Sequence, residues 1–278
     1  MKKFDGKSAF ITGGASGIGL GMARAFASAG MKVAIADIKS ELLSKAKADI
    51  EARGVECLTI ELDVSDRTAV RQAATETVAA FGKLHLLCNN AGVGGINRPL
   101  DEAEDLDWDW VINVNLMGAV NCLLAFIPLL KAHGEGGHII NTSSVSGLRV
   151  YDGRGQGIYA TTKFALVGMT EALEQDLKPL GIGVSLLCPG FVKTELPNAP
   201  RNRPAKFGGP VAPGHTSNSS LSAAAASGME PDDCGKLVLN AIKNDEFYIL
   251  TDGNERDLIQ ARFDRLTEAI ERAAEVTF

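Results

Sequence analysis

Tyr159 and Lys163 stand four residues apart in the run GIYATTKFALVGMT. In a helix, positions i and i+4 lie on one face, one turn apart. A phenol and an ammonium placed there can form an acid–base unit. The cation favours phenolate over phenol and draws the tyrosine pKa down from about 10. Such a tyrosine can exchange a proton with an alcohol or a ketone. On its own the spacing also fits two exposed helix residues, so the rest of the chain has to decide.

A second group of residues is suited to a nucleotide. In TGGASGIG (12–19), Gly13, Gly17 and Gly19 let the backbone turn sharply and approach a ligand. A helix N-terminus behind them would offer N–H groups and a positive dipole end to a pyrophosphate. Ser16 and Ile18 belong to the same loop and are taken with it as cofactor-binding. The spacing is GxxxGxG rather than GxGxxG, and its weight comes from lying between a strand and a helix. Asp37 ends the second apolar run, where a carboxylate can accept hydrogen bonds from ribose hydroxyls. A 2′-phosphate there would meet a like charge, which at ~4 Å costs on the order of 4 kcal/mol at an effective dielectric of 20. This favours NAD(H) over NADP(H), with Lys39 close enough to soften the repulsion. The alternative role for Asp37 is an N-cap for the next helix.

The elements that must position these residues follow from the hydrophobic pattern. Short apolar runs at 8–12, 32–37, 56–64, 84–90, 137–143 and 183–189 read as strands. Amphipathic stretches such as GLGMARAFASAG, ELLSKAKADIEARG and TAVRQAATETVAAFG separate them and read as helices. Strands flanked by helices of this length imply βαβ units and a parallel sheet. The fold expected is α/β: one domain over residues 1–278, with a doubly wound parallel sheet (Rossmann fold), helices on both faces and a C-terminal helical extension. Residues 195–230, rich in Pro, Gly, Ser and Asn, are too long for an ordinary connection. They read as a substrate-covering insert rather than a disordered one. Residues 254–276 read as an amphipathic helix with Leu258, Ile259, Phe263, Leu266 and Ile270 along one side.

Composition narrows the partners. The chain has 278 residues, a net charge of −6 and no long basic run, which argues against nucleic acid or an anionic membrane surface. The most apolar stretch, MGAVNCLLAFIPLL, is short and holds Asn121 and Pro128, so a buried helix is expected rather than a span. The N-terminal run is interrupted by Asp5 and Lys7 and crowded with glycine, so it is not read as a signal peptide. The five cysteines, with no CxxC spacing, read as reduced thiols of a cytoplasmic protein. The four histidines show no metal-ligand pattern, and no metal is expected.

With these residues in hand the chain resembles the short-chain dehydrogenase/reductase family, in its compact single-domain form, over roughly residues 5–195. TGGASGIG matches the cofactor loop, Asp63 and Val64 the adenine-contacting pair, and NNAG, with Asn90, Ala91 and Gly92, the turn after the fourth strand. Asn115 in NVNLMG and Ser144 in NTSSVSG match the catalytic asparagine and serine. Tyr159 and Lys163 match the YxxxK signature. Pro189, Gly190, Val192 and Thr194 match the segment beside the nicotinamide.

The resemblance implies a secondary alcohol/ketone oxidoreductase in which hydride passes directly between substrate and nicotinamide, without a metal. It implies Tyr159 as general acid/base, with Lys163 lowering its pKa and binding the nicotinamide ribose. Ser144 would hold the substrate oxygen, and Asn115 a water that relays protons to Lys163. A homodimer or homotetramer is implied as well, with a dimer formed through the helices carrying Asn115 and Tyr159.

Two departures stand out. Ser144 and Tyr159 are 15 residues apart, about two more than the family habit. Ser146 restores the shorter spacing but takes a spacer position, and Ser143 would face the other side of its strand. The glycine-rich C-terminus of the family is replaced by a longer helix. The substrate compartment is expected to involve Val93 to Gly95, Val145 to Tyr151 and Phe191 onward, with Arg149 and Arg154 as polar anchors or solvated loop residues. The segment NRPAKFG (202–208), the insert and the C-terminal helix resemble those of bacterial Cα-dehydrogenases of lignin-type aryl ethers. They imply a bulky aromatic or sterol-like secondary alcohol. The competing readings are an NADPH-dependent carbonyl reductase and a non-catalytic dinucleotide-binding protein.

Overall fold

A computed structural model describes residues 1–151, 155–211 and 219–276. Seven strands form one sheet: β1 (Ser8–Thr12), β2 (Lys32–Asp37), β3 (Cys57–Glu61), β4 (Leu86–Asn89), β5 (Gly137–Thr142), β6 (Ile182–Cys188) and β7 (Tyr248–Leu250). Their order is β3-β2-β1-β4-β5-β6-β7, and every neighbouring pair is parallel. After β3 the chain crosses back past β1 to lay down β4, so the order reverses between β1 and β4. In such sheets the crevice opens at the carboxyl ends of the strands at this reversal.

The strands lack polar alternation because both faces of the sheet are covered. In β1 and β2, Ala9, Ile11, Val33 and Ile35 point into one core, while Phe10, Ala34 and Ala36 point into the other. The first core is closed by α1 (Gly17–Ser28), α2 (Ser40–Glu51) and α8 (Pro231–Asn244), through Met22, Phe26, Leu43, Ile50, Val238 and Ile242. The second is closed by α3 (Arg67–Phe81), α5 (Gly118–Ala132) and α6 (Gly157–Leu177), with Val70, Cys122, Phe126, Leu130 and Leu177 packed inward. Helices α1 and α8 approach to backbone contact. A Cβ on Gly21 would lie 2.0 Å from the Pro231 carbonyl oxygen, and one on Gly235 2.1 Å from the Gly21 oxygen.

Helix α4 (Asp105–Ile112) runs into α5 through a π-helical turn, Asn113–Met117. By length and composition the whole run Asp105–Ala132 is apolar enough to cross a membrane, which corrects the expectation that no segment qualifies. Half of its most apolar window is buried within the protein. Trp110, Val111, Cys122, Phe126 and Leu130 of this run are core residues, as in a helix laid against a sheet.

The insert holds two short 3-10 turns, Leu196–Asn202 and Ala205–Phe207, and helix α7 (Ser219–Ala226). Arg203 anchors it. This guanidinium is buried, bonds to Asp107 at 3.0 Å and lies over the Trp110 ring. Strand β7 was not foreseen, because a three-residue edge strand leaves too little pattern to read. The last helix, α9 (Arg256–Ala274), forms where expected, yet none of its residues is buried. Leu258, Phe263, Leu266 and Ile270 of its apolar stripe are exposed.

Candidate active site

One cleft of about 370 Å³ opens at the carboxyl ends of the central strands, and its lining includes Gly13, Asp37, Ser144, Tyr159 and Lys163. It is built from the β1 end outward. Thr12 Oγ1 accepts the backbone N–H groups of Asn90 (2.9 Å) and Ala91 (3.0 Å). Asn90 Nδ2 returns a bond to the Thr12 carbonyl at 2.9 Å. The glycine loop and the NNAG turn are thereby tied into one wall. Gly13 and Gly17 have φ of +63° and +51°, where a side chain is strained. Gly19 does not line the cleft. A Cβ there would meet the Gly13 carbonyl oxygen at 2.1 Å, so its hydrogen lets the helix start close behind the turn.

The residues of this loop fit an anion. Ser16 is the N-cap of α1 without a side-chain cap bond, and the first turn carries no acidic residue. The first helical bond runs from Leu20 N–H to Ser16 C=O, which leaves the N–H groups of Gly17, Ile18 and Gly19 outside the helical ladder. Asp37 lies at the end of β2, its carboxylate accepting the N–H groups of Lys39 (3.2 Å) and Ala15 (3.4 Å). Burial raises its pKa, and these bonds pull it back. The N-cap of α2 is Lys39, so Asp37 does not have the capping role. Asp63 and Val64 line the same end. Asp63 is more occupied than expected: Oδ1 accepts from Ser65, and Oδ2 from Lys206 Nζ at 2.8 Å. Burial works against these bonds, which nonetheless hold its pKa down. Lys206, in the second turn of the insert, therefore bridges the cleft wall at this end.

At the other end Tyr159, partly open to the cleft, lies beside Ser144, whose hydroxyl draws its pKa down. Ser144, after β5, has extended backbone, and its Oγ lies 3.4 Å from the Pro189 carbonyl oxygen. Ser143, one residue earlier, spends its hydroxyl on the Lys163 carbonyl at 2.8 Å. Ser146 donates its backbone N–H to Ser144 Oγ at 3.1 Å. Of the three serines, Ser144 is the one whose hydroxyl acts on the phenol. Lys163 is 4% exposed, and its Nζ donates to the Thr142 carbonyl at 2.9 Å.

The electrostatics differ from the expectation that Lys163 lowers the Tyr159 pKa. Burial pushes Tyr159 up to about 12, against the pull of the neighbouring Ser144 hydroxyl. It also pushes Lys163 down to about 8. The ammonium bonds to Thr142 instead of the phenol oxygen, so desolvation of both groups outweighs their attraction.

Asn115 sits in the π-helical turn behind the cleft. It accepts the Val93 N–H at 2.8 Å and donates to the Val93 carbonyl and to Thr162 Oγ1. It fixes the chain after NNAG and does not line the cleft itself. Pro189, Gly190, Val192 and Thr194 line the side facing Tyr159, and Gly190 N–H is held by Thr251 Oγ1 at 2.9 Å.

Arg149 is neither a solvated residue nor an anchor in the cleft: it is buried against Glu255. Arg154 lies outside the described residues. Trp110, Gln156 and Leu196 also line the cleft and were not foreseen. Trp110 has no sequence signal beyond helical periodicity, whereas Lys206 lies within the NRPAKFG run already singled out. At the opposite ends of the strands His85, His133 and Glu135 bring their ligand atoms within 4.8 Å of one another. Glu135 is paired there with Lys7 and Lys83, which makes this an ion-pair cluster unfavourable to a further cation.

The short chain dehydrogenase family model matches residues 7–204. The chain belongs to the short chain dehydrogenase family. It is 35% identical over 275 residues, 97% of this chain and 88% of the relative, to the C alpha-dehydrogenase of Sphingobium sp.. Among solved structures, a short chain dehydrogenase/reductase from Burkholderia phymatum in complex with NAD is 37% identical, with a TM-score of 0.90 and 97% of each chain covered. A short chain dehydrogenase from Burkholderia cenocepacia in complex with NADP is 33% identical, with a TM-score of 0.76, 91% of this chain covered and 98% of the other. The protein is thus an oxidoreductase acting on alcohol or ketone groups of a small molecule with a nicotinamide dinucleotide.

Proposed function

We propose that the protein moves hydride between NAD(H) and a bulky aromatic or sterol-like secondary alcohol or its ketone. The observation that carries this reading is the convergence of Tyr159, Ser144 and Lys163 on one cleft with a glycine loop and a strand-end carboxylate. When bound, the dinucleotide supplies the carbon that accepts or gives the hydride. Its pyrophosphate would lie on Gly13, Ser16, Gly17 and Ile18, its adenosine ribose at Asp37, and its adenine by Asp63 and Val64. Ser144 Oγ orients the substrate oxygen toward Tyr159. Tyr159 takes the hydroxyl proton in oxidation and returns it in reduction. Lys163 would bind the nicotinamide ribose and, at a pKa of about 8, can pass protons near physiological pH. Asn115 keeps the Val93 backbone in place behind it.

The aromatic substrate class rests on a cleft bordered by Trp110, Tyr151 and Phe191. NADPH-dependent reduction is the second reading, favoured by the NADP complex of one relative and by Lys39 beside Asp37. We also read residues 1–278 as one domain with 195–230 covering the substrate, in a cytoplasmic homodimer or homotetramer. The exposed stripe of α9 supports the assembly. An activity screen with NAD and NADP over aryl, steroid and aliphatic secondary alcohols tests the reading. Turnover confined to small aliphatic alcohols, or to NADP, would overturn it.

A further inference from the structure

Glu255 precedes α9, more than a hundred residues from the segment it touches. Its Oε1 accepts the Tyr151 hydroxyl at 3.2 Å, 104 residues away in sequence. Its Oε2 accepts Arg149 Nε, 106 residues away. The ion pair is sequestered, with the Arg149 and Glu255 side chains 8% and 12% exposed. The Arg149 guanidinium stacks on the Tyr151 ring, 3.6 Å from its centroid. Phe191 approaches the same ring at 6.3 Å between centroids. Tyr151 and Phe191 both line the cleft, whereas Arg149 and Glu255 stand behind them.

Tyr151 has no regular secondary structure to hold it, since it follows the 3-10 turn Val145–Gly147 and precedes α6. Its hydroxyl and one ring face are nevertheless each met by a partner, and the Phe191 ring lies tilted against it. A buried ion pair rarely stabilises a fold more than well-packed apolar residues would, so its value here is geometric. A tyrosine fixed in this way presents a flat, rigid aromatic surface at little entropic cost to a bound ligand.

We propose that Glu255 is a positioning residue for the substrate: together with Arg149 it locks the Tyr151 ring as the aromatic wall of the substrate compartment. The C-terminal extension thereby takes part in choosing aryl over alkyl substrates. The inference rests on the cleft being the alcohol site proposed above. Glu255 touches neither the cofactor loop nor Tyr159, so its effect belongs in substrate affinity and not in the chemical step.

The test uses the full chain with Glu255→Ala, Glu255→Gln, Tyr151→Ala and the double variant Glu255→Ala/Tyr151→Ala. Steady-state kinetics with NAD on 1-phenylethanol and 2-butanol, and hydrogen exchange over residues 145–151, are the readouts. For Glu255→Ala the KM for 1-phenylethanol should rise about tenfold, the scale of one aromatic contact, with kcat and the 2-butanol KM within about twofold. Glu255→Gln, which keeps an acceptor oxygen, should recover most of the loss. Removing Glu255 should add nothing once Tyr151 is alanine, and exchange over 145–151 should rise in Glu255→Ala but not in Glu255→Gln. If Glu255→Ala leaves Arg149 too exposed to strain for folding, Glu255→Gln and Tyr151→Ala carry the comparison. Unchanged aryl KM, additive effects in the double variant, or unchanged exchange would each overturn the proposal. A wild-type chain inactive on both alcohols would count against the proposed function alone, and exchange would then decide the role of Glu255.

Discussion

The Lys163 ammonium lies 5.4 Å from the centre of the Tyr159 ring and gives a hydrogen bond to the Thr142 carbonyl, 2.9 Å away. The lysine is thus held under the tyrosine by β5, and burial keeps its pKa near 8. A folded pKa below the unfolded 10.5 means that the folded chain binds fewer protons between these two values. Stability is therefore gained as pH rises from about 8 toward 10.5, and the full cost of burying the charge is present below 8. That cost is on the order of 3 kcal/mol, and the bond to Thr142 offsets about 1 kcal/mol of it. Lys163→Met should be more stable than wild type by about 1–2 kcal/mol at pH 7. The advantage should vanish toward pH 10.5. Chemical denaturation of both chains across this range is the measurement, and a methionine variant less stable at pH 7 would refute the buried charge.

Tyr159→Phe removes one oxygen from a partly open site and leaves its ring packing intact. Cofactor binding, followed by NADH fluorescence, should stay within a factor of about two, while kcat falls by roughly 10²–10⁴, as for loss of a general acid/base. Near-normal turnover would remove Tyr159 from the mechanism.

The strands and the glycine turn were legible because their signals are local. Ser8–Thr12 and Lys32–Asp37 are apolar runs buried on both faces, and Gly13 and Gly17 sit where a strand must turn into a helix. The lengthened loop left three candidate serines, and the structure places Ser144 in the cleft while Ser143 spends its hydroxyl on the Lys163 carbonyl. What could not be read depends on distance in the chain. Arg203 finds Asp107 96 residues away, and Glu255 finds Arg149 106 residues away. No periodicity announces either partner. The sign of the Tyr159 shift was misread because helical spacing places Lys163 on the same face without saying that its proton goes to Thr142.

Asp37→Ala tests the basis of cofactor choice. The carboxylate is already held by two backbone N–H groups, so it can face a ribose without moving. Its removal should weaken NADH binding and improve NADPH binding. The ratio of the two dissociation constants should shift by on the order of tenfold or more, since a single like-charge contact is worth several kcal/mol at an intermediate dielectric. Isothermal titration with both dinucleotides provides the numbers. A wild-type preference for NADPH, or a ratio unmoved by the substitution, would mean that Asp37 does not read the ribose.

Two glycines on one helix should fail in different ways. A methyl group on Gly19 would stand 2.1 Å from the Gly13 carbonyl oxygen and 2.7 Å from Asn90 Nδ2, so Gly19→Ala must push the glycine turn away from α1. Displacing the turn spoils the approach of backbone N–H groups to the pyrophosphate, and NADH affinity should drop by roughly 100-fold. On Gly21 the methyl group would instead meet the Pro231 carbonyl at 2.0 Å, where α1 crosses α8 away from the cleft. Gly21→Ala should then cost about 1–3 kcal/mol of stability, as overpacking does, while the protein that remains folded binds NADH as wild type does. Thermal melts and NADH titrations on the same samples separate the two effects. The reverse pattern, a stability loss at Gly19 with binding intact, would show that the loop after β1 is a structural turn and that the dinucleotide lies elsewhere.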